Sequence, residues 1–217
     1  RSGVSFDNSN RNRRHFLSTI RLAYGRSDHY NLYLQGQYNR RLYDNSGVSY
    51  RDSIGYDWRT GLSVHLTGKL QGDFYLGYLL QEYGSDFKDV SGVNYGGNFV
   101  WNINGITSLS GGVERQVVET TLAGSSAILR MDGHIELQHA LRDNIILEAR
   151  LSALDDVYKG GGARNDNLSA QSHLGVEYRP NDVLSFGVDY DYLNRNFANR
   201  AGDYDNHKML FIAQYAY

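Results

Sequence analysis

Three features of the 217-residue chain together predict an all-β fold, an antiparallel up-and-down transmembrane β-barrel of about twelve strands. Apolar and polar residues alternate with a period of two along most of the chain, as they do in strands with two unlike faces. The alternating runs are mostly about ten residues or longer, whereas strands of water-soluble proteins are commonly about five or six. Tight and long connections alternate between the runs, the asymmetry of short periplasmic turns and longer outside loops. At about 3.3 Å per residue and a tilt near 40°, ten residues climb about 25 Å, the height of an outer-membrane apolar band.

The expected strands are 2–6, 14–26, 29–43, 49–66, 70–83, 92–103, 107–119, 127–141, 143–158, 166–179, 182–197 and 203–217. Each long one carries a greasy set. The early strands give Phe16, Ile20, Leu22 and Tyr24, then Tyr30, Leu32, Leu34 and Tyr38. Next come Ile54, Tyr56, Trp58, Leu62 and Val64, and then Phe74, Leu76, Tyr78 and Leu80. The middle strands give Tyr95, Phe99, Trp101 and Ile103, then Leu129, Met131, Ile135 and Leu137. The late ones give Ile145, Leu147 and Leu151, then Leu174, Val176 and Tyr178, then Leu184, Phe186, Val188, Tyr190 and Tyr192. The closing stretch HKMLFIAQYAY places Met209, Phe211, Ala213 and Tyr215 on one side and stops on Tyr217. Tyr24, Trp58, Tyr78, Trp101, Tyr178, Tyr192, Tyr215 and Tyr217 are the candidates for aromatic girdles at the membrane boundaries.

Tight connections are expected at Arg26–Asp28, Thr67–Lys69, Asn104–Ile106, Arg142–Asp143 and Pro180–Asn181. Long polar ones are expected at Asp7–Arg13, Asp44–Val48, Gly84–Ser91, Thr120–Ser126, Lys159–Asn165 and Ala198–Gly202. With an even count, both termini fall on the tight side and so in the periplasm. The single proline, Pro180, sits in a turn, where its missing N–H costs no ladder bond.

Charge is nearly balanced, 22 basic against 24 acidic residues. Nucleic acid, which calls for a basic excess, is not an expected partner. The absence of cysteine excludes a disulfide framework and a thiolate metal site. No stretch reaches the roughly 18 apolar residues of a membrane helix. The mean hydropathy of −0.53 does not count against a barrel, in which only alternate residues meet lipid. The chain opens on no cationic and apolar leader, so on the barrel reading it is expected to be a mature form.

The face opposite the greasy one holds the candidate lumen residues. These are Arg21, Arg41, Arg51, Asp57, Arg59, Asp73, Glu114, Arg130, Asp132, His134, Glu136, Glu148, Arg150, His173, Glu177, Arg179, Asp189 and Asp191. Both signs occur on adjacent strands, so cross-strand ion pairs are expected. One register places Glu136 opposite Arg150, and another places His173 opposite Asp189. The row Arg130, Asp132, His134, Glu136 has ligand and acid–base chemistry, but such chemistry needs a second strand to converge on the row. The expectation is an ion-pair ladder, with no catalytic residue, no metal and no cofactor. About twelve strands lie between a barrel filled by side chains and one with an open channel, so a narrow pore and a plugged cylinder both stand open. Asn196, Phe197, Asn199, Arg200 and Tyr204 near the last loop combine sugar-stacking and hydroxyl-bonding groups, but an interfacial girdle and a polar loop are the favoured account of them.

From Ser91 to Tyr217 the chain resembles the β-barrel porins often encoded beside exopolysaccharide export genes. The resembling pieces are SGVNYGG, WNINGITSLSGGVERQVVETTLAGSSA, EYRPNDVLSFGVDYDYLNR and the closing strand, and VVETTLAGSSA is the most specific of them. The resemblance implies a barrel in the bacterial outer membrane, in contact with its lipid. It also implies export of polysaccharide or polar solutes, with a periplasmic polysaccharide export protein as partner. A plugged barrel anchoring a periplasmic or surface complex is the alternative, and an outer-membrane enzyme comes third.

Overall fold

The computed structural model describes residues 12–27, 29–44, 51–66, 68–84, 87–120, 122, 124–160, 166–198 and 202–215. Among them eleven strands form one antiparallel sheet in sequence order. The strands are β1 (Arg13–Ser27), β2 (Tyr30–Tyr43), β3 (Ser53–Leu66), β4 (Leu70–Tyr83), β5 (Val90–Asn104), β6 (Thr107–Val118), β7 (Ala127–Arg142), β8 (Ile145–Lys159), β9 (Asn167–Tyr178), β10 (Leu184–Phe197) and β11 (Tyr204–Tyr215). Every neighbouring pair is a hairpin, so the up-and-down topology is as expected. The expected first strand, 2–6, lies outside the described residues. No described helix is long and apolar enough to cross a membrane.

Long and short connections alternate as predicted. The short ends carry the local devices that turn a strand sharply. Gly68, at φ 65°, closes the three-residue β3–β4 turn, where the Lys69 N–H donates to the Leu66 carbonyl at 3.1 Å. Register shifts at Gly25/Ser27, Asn102/Asn104 and Ala140/Arg142 mark bulges at three other short ends. Two expectations are corrected. β3 begins at Ser53 rather than at 49, because Asp52 turns aside to accept the Tyr43 N–H at 2.8 Å. The β9–β10 connection is longer than a Pro180–Asn181 turn and occupies 179–183. There Asn181 Oδ1 accepts the N–H groups of Val183 and Leu184 at 3.0 and 2.9 Å. That asparagine turn shifts the register by two, so His173 faces Asp191 rather than Asp189.

The two faces differ as the alternation demands. The greasy rows are largely exposed, with Leu22 at 69% and Phe211 at 73%, but Leu129, expected on the lipid side, is buried at 8% because its hairpin end folds inward. The polar rows interact with one another across intervening strands. Arg21 of β1 bonds Asp73 of β4 at 2.9 Å, and Tyr33 of β2 bonds the same carboxylate at 2.6 Å. Along a flat sheet β1 and β4 would stand about 14 Å apart. The sheet is therefore curled, with the polar face concave. Burial reflects this geometry, since the few well-buried side chains include Ser53, Gln81, Asn94, Asp156 and Asn167.

Candidate functional site: the concave polar face

The concave face is built by the same parity rule that sets the greasy rows outward. Of the lumen candidates, Arg21, Arg41, Asp57, Arg59, Asp73, Glu114, Arg130, Asp132, His134, Glu136, Glu148, Arg150, His173, Glu177, Asp189 and Asp191 stand on strands in the register that faces it. Arg51 precedes β3 and Arg179 follows β9, so these two stand at strand ends.

Three groups of contacts organise this face. In the first, Asp73 accepts from Arg21, Tyr33 and Ser63, at 2.9, 2.6 and 2.7 Å. Arg21 also lies over the Tyr33 ring, 3.5 Å from its centroid. The ring needs the bare backbone of Gly61 beside it, because a Cβ there would stand 2.1 Å from its Cζ. In the second group, Asp57 accepts from Arg59 at 2.6 Å and from Asn94 at 2.7 Å, while Arg59 covers the Tyr75 ring at 4.3 Å. In the third, Arg130 grips Asp156 through two bonds of 2.6 and 2.9 Å, and Asp156 is 1% exposed. Elsewhere Glu136 meets Arg150 at 3.7 Å, in the expected register, and His173 meets Asp191 at 2.9 Å. Within the row Arg130, Asp132, His134, Glu136, the two end residues thus pair with β8 while Asp132 and His134 line a cavity, and no three described His, Asp or Glu residues gather as metal ligands.

Two adjoining polar cavities lie on the face between β1 and β7. One of about 300 Å³ is lined by His15, Gln37, Asn39, Arg41, Asp57 and Asn94, toward the long-loop end. Another of about 540 Å³ is lined by Arg21, Gln35, Asp73, Tyr75, Asp132 and His134, toward the short-turn end. They share Arg59, Glu114 and Gln116.

At the long-loop end the sheet has a seam that the period-two pattern does not announce. The β5–β6 ladder stops at Gly96–Glu114, although β5 reaches Val90 and β6 reaches Val118. Beyond that pair the β6–β7 hairpin folds inward. Ala127 and Leu129, with Val117 against them, pack on Leu79 and Val90 of the concave wall. Past the end of β6, Glu119 meets Arg13 at 2.7 Å, Arg41 at 3.3 Å and the Tyr43 hydroxyl at 2.9 Å. Arg51 donates to the carbonyls of Thr120 and Leu122. Arg13, Tyr43 and Glu119 are contacts that the sequence pattern missed. The available signal was VVETTLAGSSA, a loop poorer in charge than its neighbours.

A family model described as "Putative beta-barrel porin 2" matches residues 1–213. The chain belongs to this porin family. Its place is the outer membrane, and its greasy rows are the side such a barrel presents to lipid. Among solved structures the porin is similar to the outer membrane channel DcaP of Acinetobacter baumannii, with a TM-score of 0.60 and 10% identity. The match covers 92% of this chain, which spans 62% of the DcaP chain. A NanC porin structure is also similar, with a TM-score of 0.46, 10% identity, and coverage of 94% of this chain and 98% of that one. No curated protein matches the chain.

The aromatic candidates separate by height on the porin wall. Tyr24, Trp101, Tyr178 and Tyr215 stand at or near the short-turn ends of β1, β5, β9 and β11. Trp58 and Tyr78 face each other in mid-strand. Tyr192 stands toward the long-loop end, its hydroxyl donating to Asp205 at 3.0 Å. Tyr217 lies outside the described residues, as do Asn199 and Arg200 of the sugar-contact group. Phe197 of that group is covered by Arg195, 5.2 Å from its ring centroid.

Proposed function

We propose that this porin forms the wall of a passage for polar solutes across the outer membrane, with the concave charged face lining it. The observation that carries this reading is the pair of adjoining polar cavities along that face, which share Arg59, Glu114 and Gln116. Charged side chains beside water-filled space set the preference among solutes by charge and size. Passage rather than catalysis is supported by the engagement of Asp73, Asp57 and Asp156 with Tyr33, Asn94 and Arg130 of other strands. Polysaccharide, delivered by a periplasmic export protein, is the solute that the family resemblance favours. The outer-face cluster Tyr192, Asn194 and Asp205 near the last long loop supplies groups suited to sugar hydroxyls.

Planar-bilayer recording tests the passage. Discrete ion steps from the folded protein are the expected result. A folded barrel without steps would favour the second reading, a plugged cylinder that anchors a complex, for which the inward-folded hairpin speaks.

A further inference from the structure

We propose that the inward-folded end of the β6–β7 hairpin is the constriction of the passage, tied across it by Glu119. This inference rests on the passage reading above. β2 and β6 are separated by three strands in the sheet, about 19 Å along its surface. Yet Arg41 of β2 reaches both the Val117 carbonyl, at 3.4 Å, and the Glu119 carboxylate, at 3.3 Å. The segment therefore crosses the concave side as a chord rather than following the wall.

The chord is anchored at its described residues. At its start Glu119 accepts from the Tyr43 hydroxyl and forms ion pairs with Arg13 and Arg41. Next, the Thr120 and Leu122 carbonyls accept from Arg51. At its far end the Ser126 N–H donates to the Lys159 carbonyl at 2.8 Å, and Ser125 and Ser126 are buried. Gly160 permits that approach, because at φ 117° a Cβ would stand 2.6 Å from the Ser126 nitrogen. Beneath, Ala127 and Leu129 seat on Leu79 and Val90. A surface loop needs none of these anchors. Arg13 and Tyr43 end their strands at the long-loop side, so the chord lies across that mouth, above the cavity containing Arg41, Asp57 and Arg59. A solute entering from that side must pass Glu119 and the arginines around it.

The chain has no cysteine, so a single one introduced by Glu119→Cys can be modified alone. The recording compares Glu119→Cys before and after a bulky charged thiosulfonate reagent, with the unsubstituted protein as control and Glu119→Ala alongside. Heat-modifiable migration in gels and β content by circular dichroism establish folding. The expected result is a fall of at least twofold in step size on modification, reversed by a thiol, and larger steps from Glu119→Ala. Steps from Glu119→Ala where the unsubstituted protein is silent would equally support the proposal, as a chord that shuts the mouth. Unchanged steps after modification confirmed by mass would overturn the constriction and leave the passage intact. Silence from all the folded proteins would overturn the passage itself.

Discussion

Asp156 is 1% exposed and is held by Arg130 through two parallel bonds. Asp156→Asn is expected to cost about 2–3 kcal/mol, less than a fully buried pair because the Arg130 side chain stays 29% exposed. Urea unfolding in detergent measures it, and Arg150→Gln, at the looser 3.7 Å pair, is expected to change little. Outside the wall the same scale tests the lipid side. Leu151 is mid-strand and 59% exposed, so Leu151→Arg is expected to cost about 2–4 kcal/mol in a bilayer. Leu147 lies nearer the short turn, where Leu147→Arg should cost less. Ser152→Arg, one position along on the concave face, should be tolerated far better than Leu151→Arg. Equal effects at 151 and 152 would reverse the assignment of the faces.

Hairpins are the element on which this wall is repeated, and their turns decide register. Gly68 offers a clean measure, since nothing lies within 4 Å of an added Cβ and only its φ of 65° resists a side chain. Gly68→Ala is expected to cost about 1–2 kcal/mol, read from the same urea curves, without altering the faces. All the strands expected from 14–26 onward are present, because a period of two carried over a dozen residues is a strong local signal. The assignment of Arg21, Asp73, Arg130 and Glu136 to one face followed from that period alone. Register was less legible. The Glu136–Arg150 pair came out of a short turn of known span, whereas His173 missed Asp191 by two because Asn181 hides an asparagine turn behind Pro180. The fold-in of β6–β7 was not legible at all. It depends on Glu119 meeting Arg41, 78 positions earlier, and strand-by-strand alternation carries no information about such distant contacts.

At the scale of the whole molecule, curvature makes one face a crowded ion-pair lattice and leaves the other to lipid. Among the described residues β1 is paired only with β2, and β11 only with β10. Hydrocarbon does not tolerate a bare ladder edge. In a bilayer, the β1 amides pointing away from β2 are therefore expected to exchange hydrogen as slowly as those pointing toward it. Fast exchange there would mean an edge open to water.

The order of the strands has one more consequence. The eleven described strands, linked as hairpins, alternate in sense, so β1 and β11 both travel from the long-loop rim to the short-turn rim. Brought together directly, they would zip with the slanted, evenly spaced bonds of a parallel pair. An all-antiparallel cylinder instead requires an odd number of strands to be seated between them, from this polypeptide or another. The parity of the wall, rather than its chemistry, thus settles what its closing partner must look like.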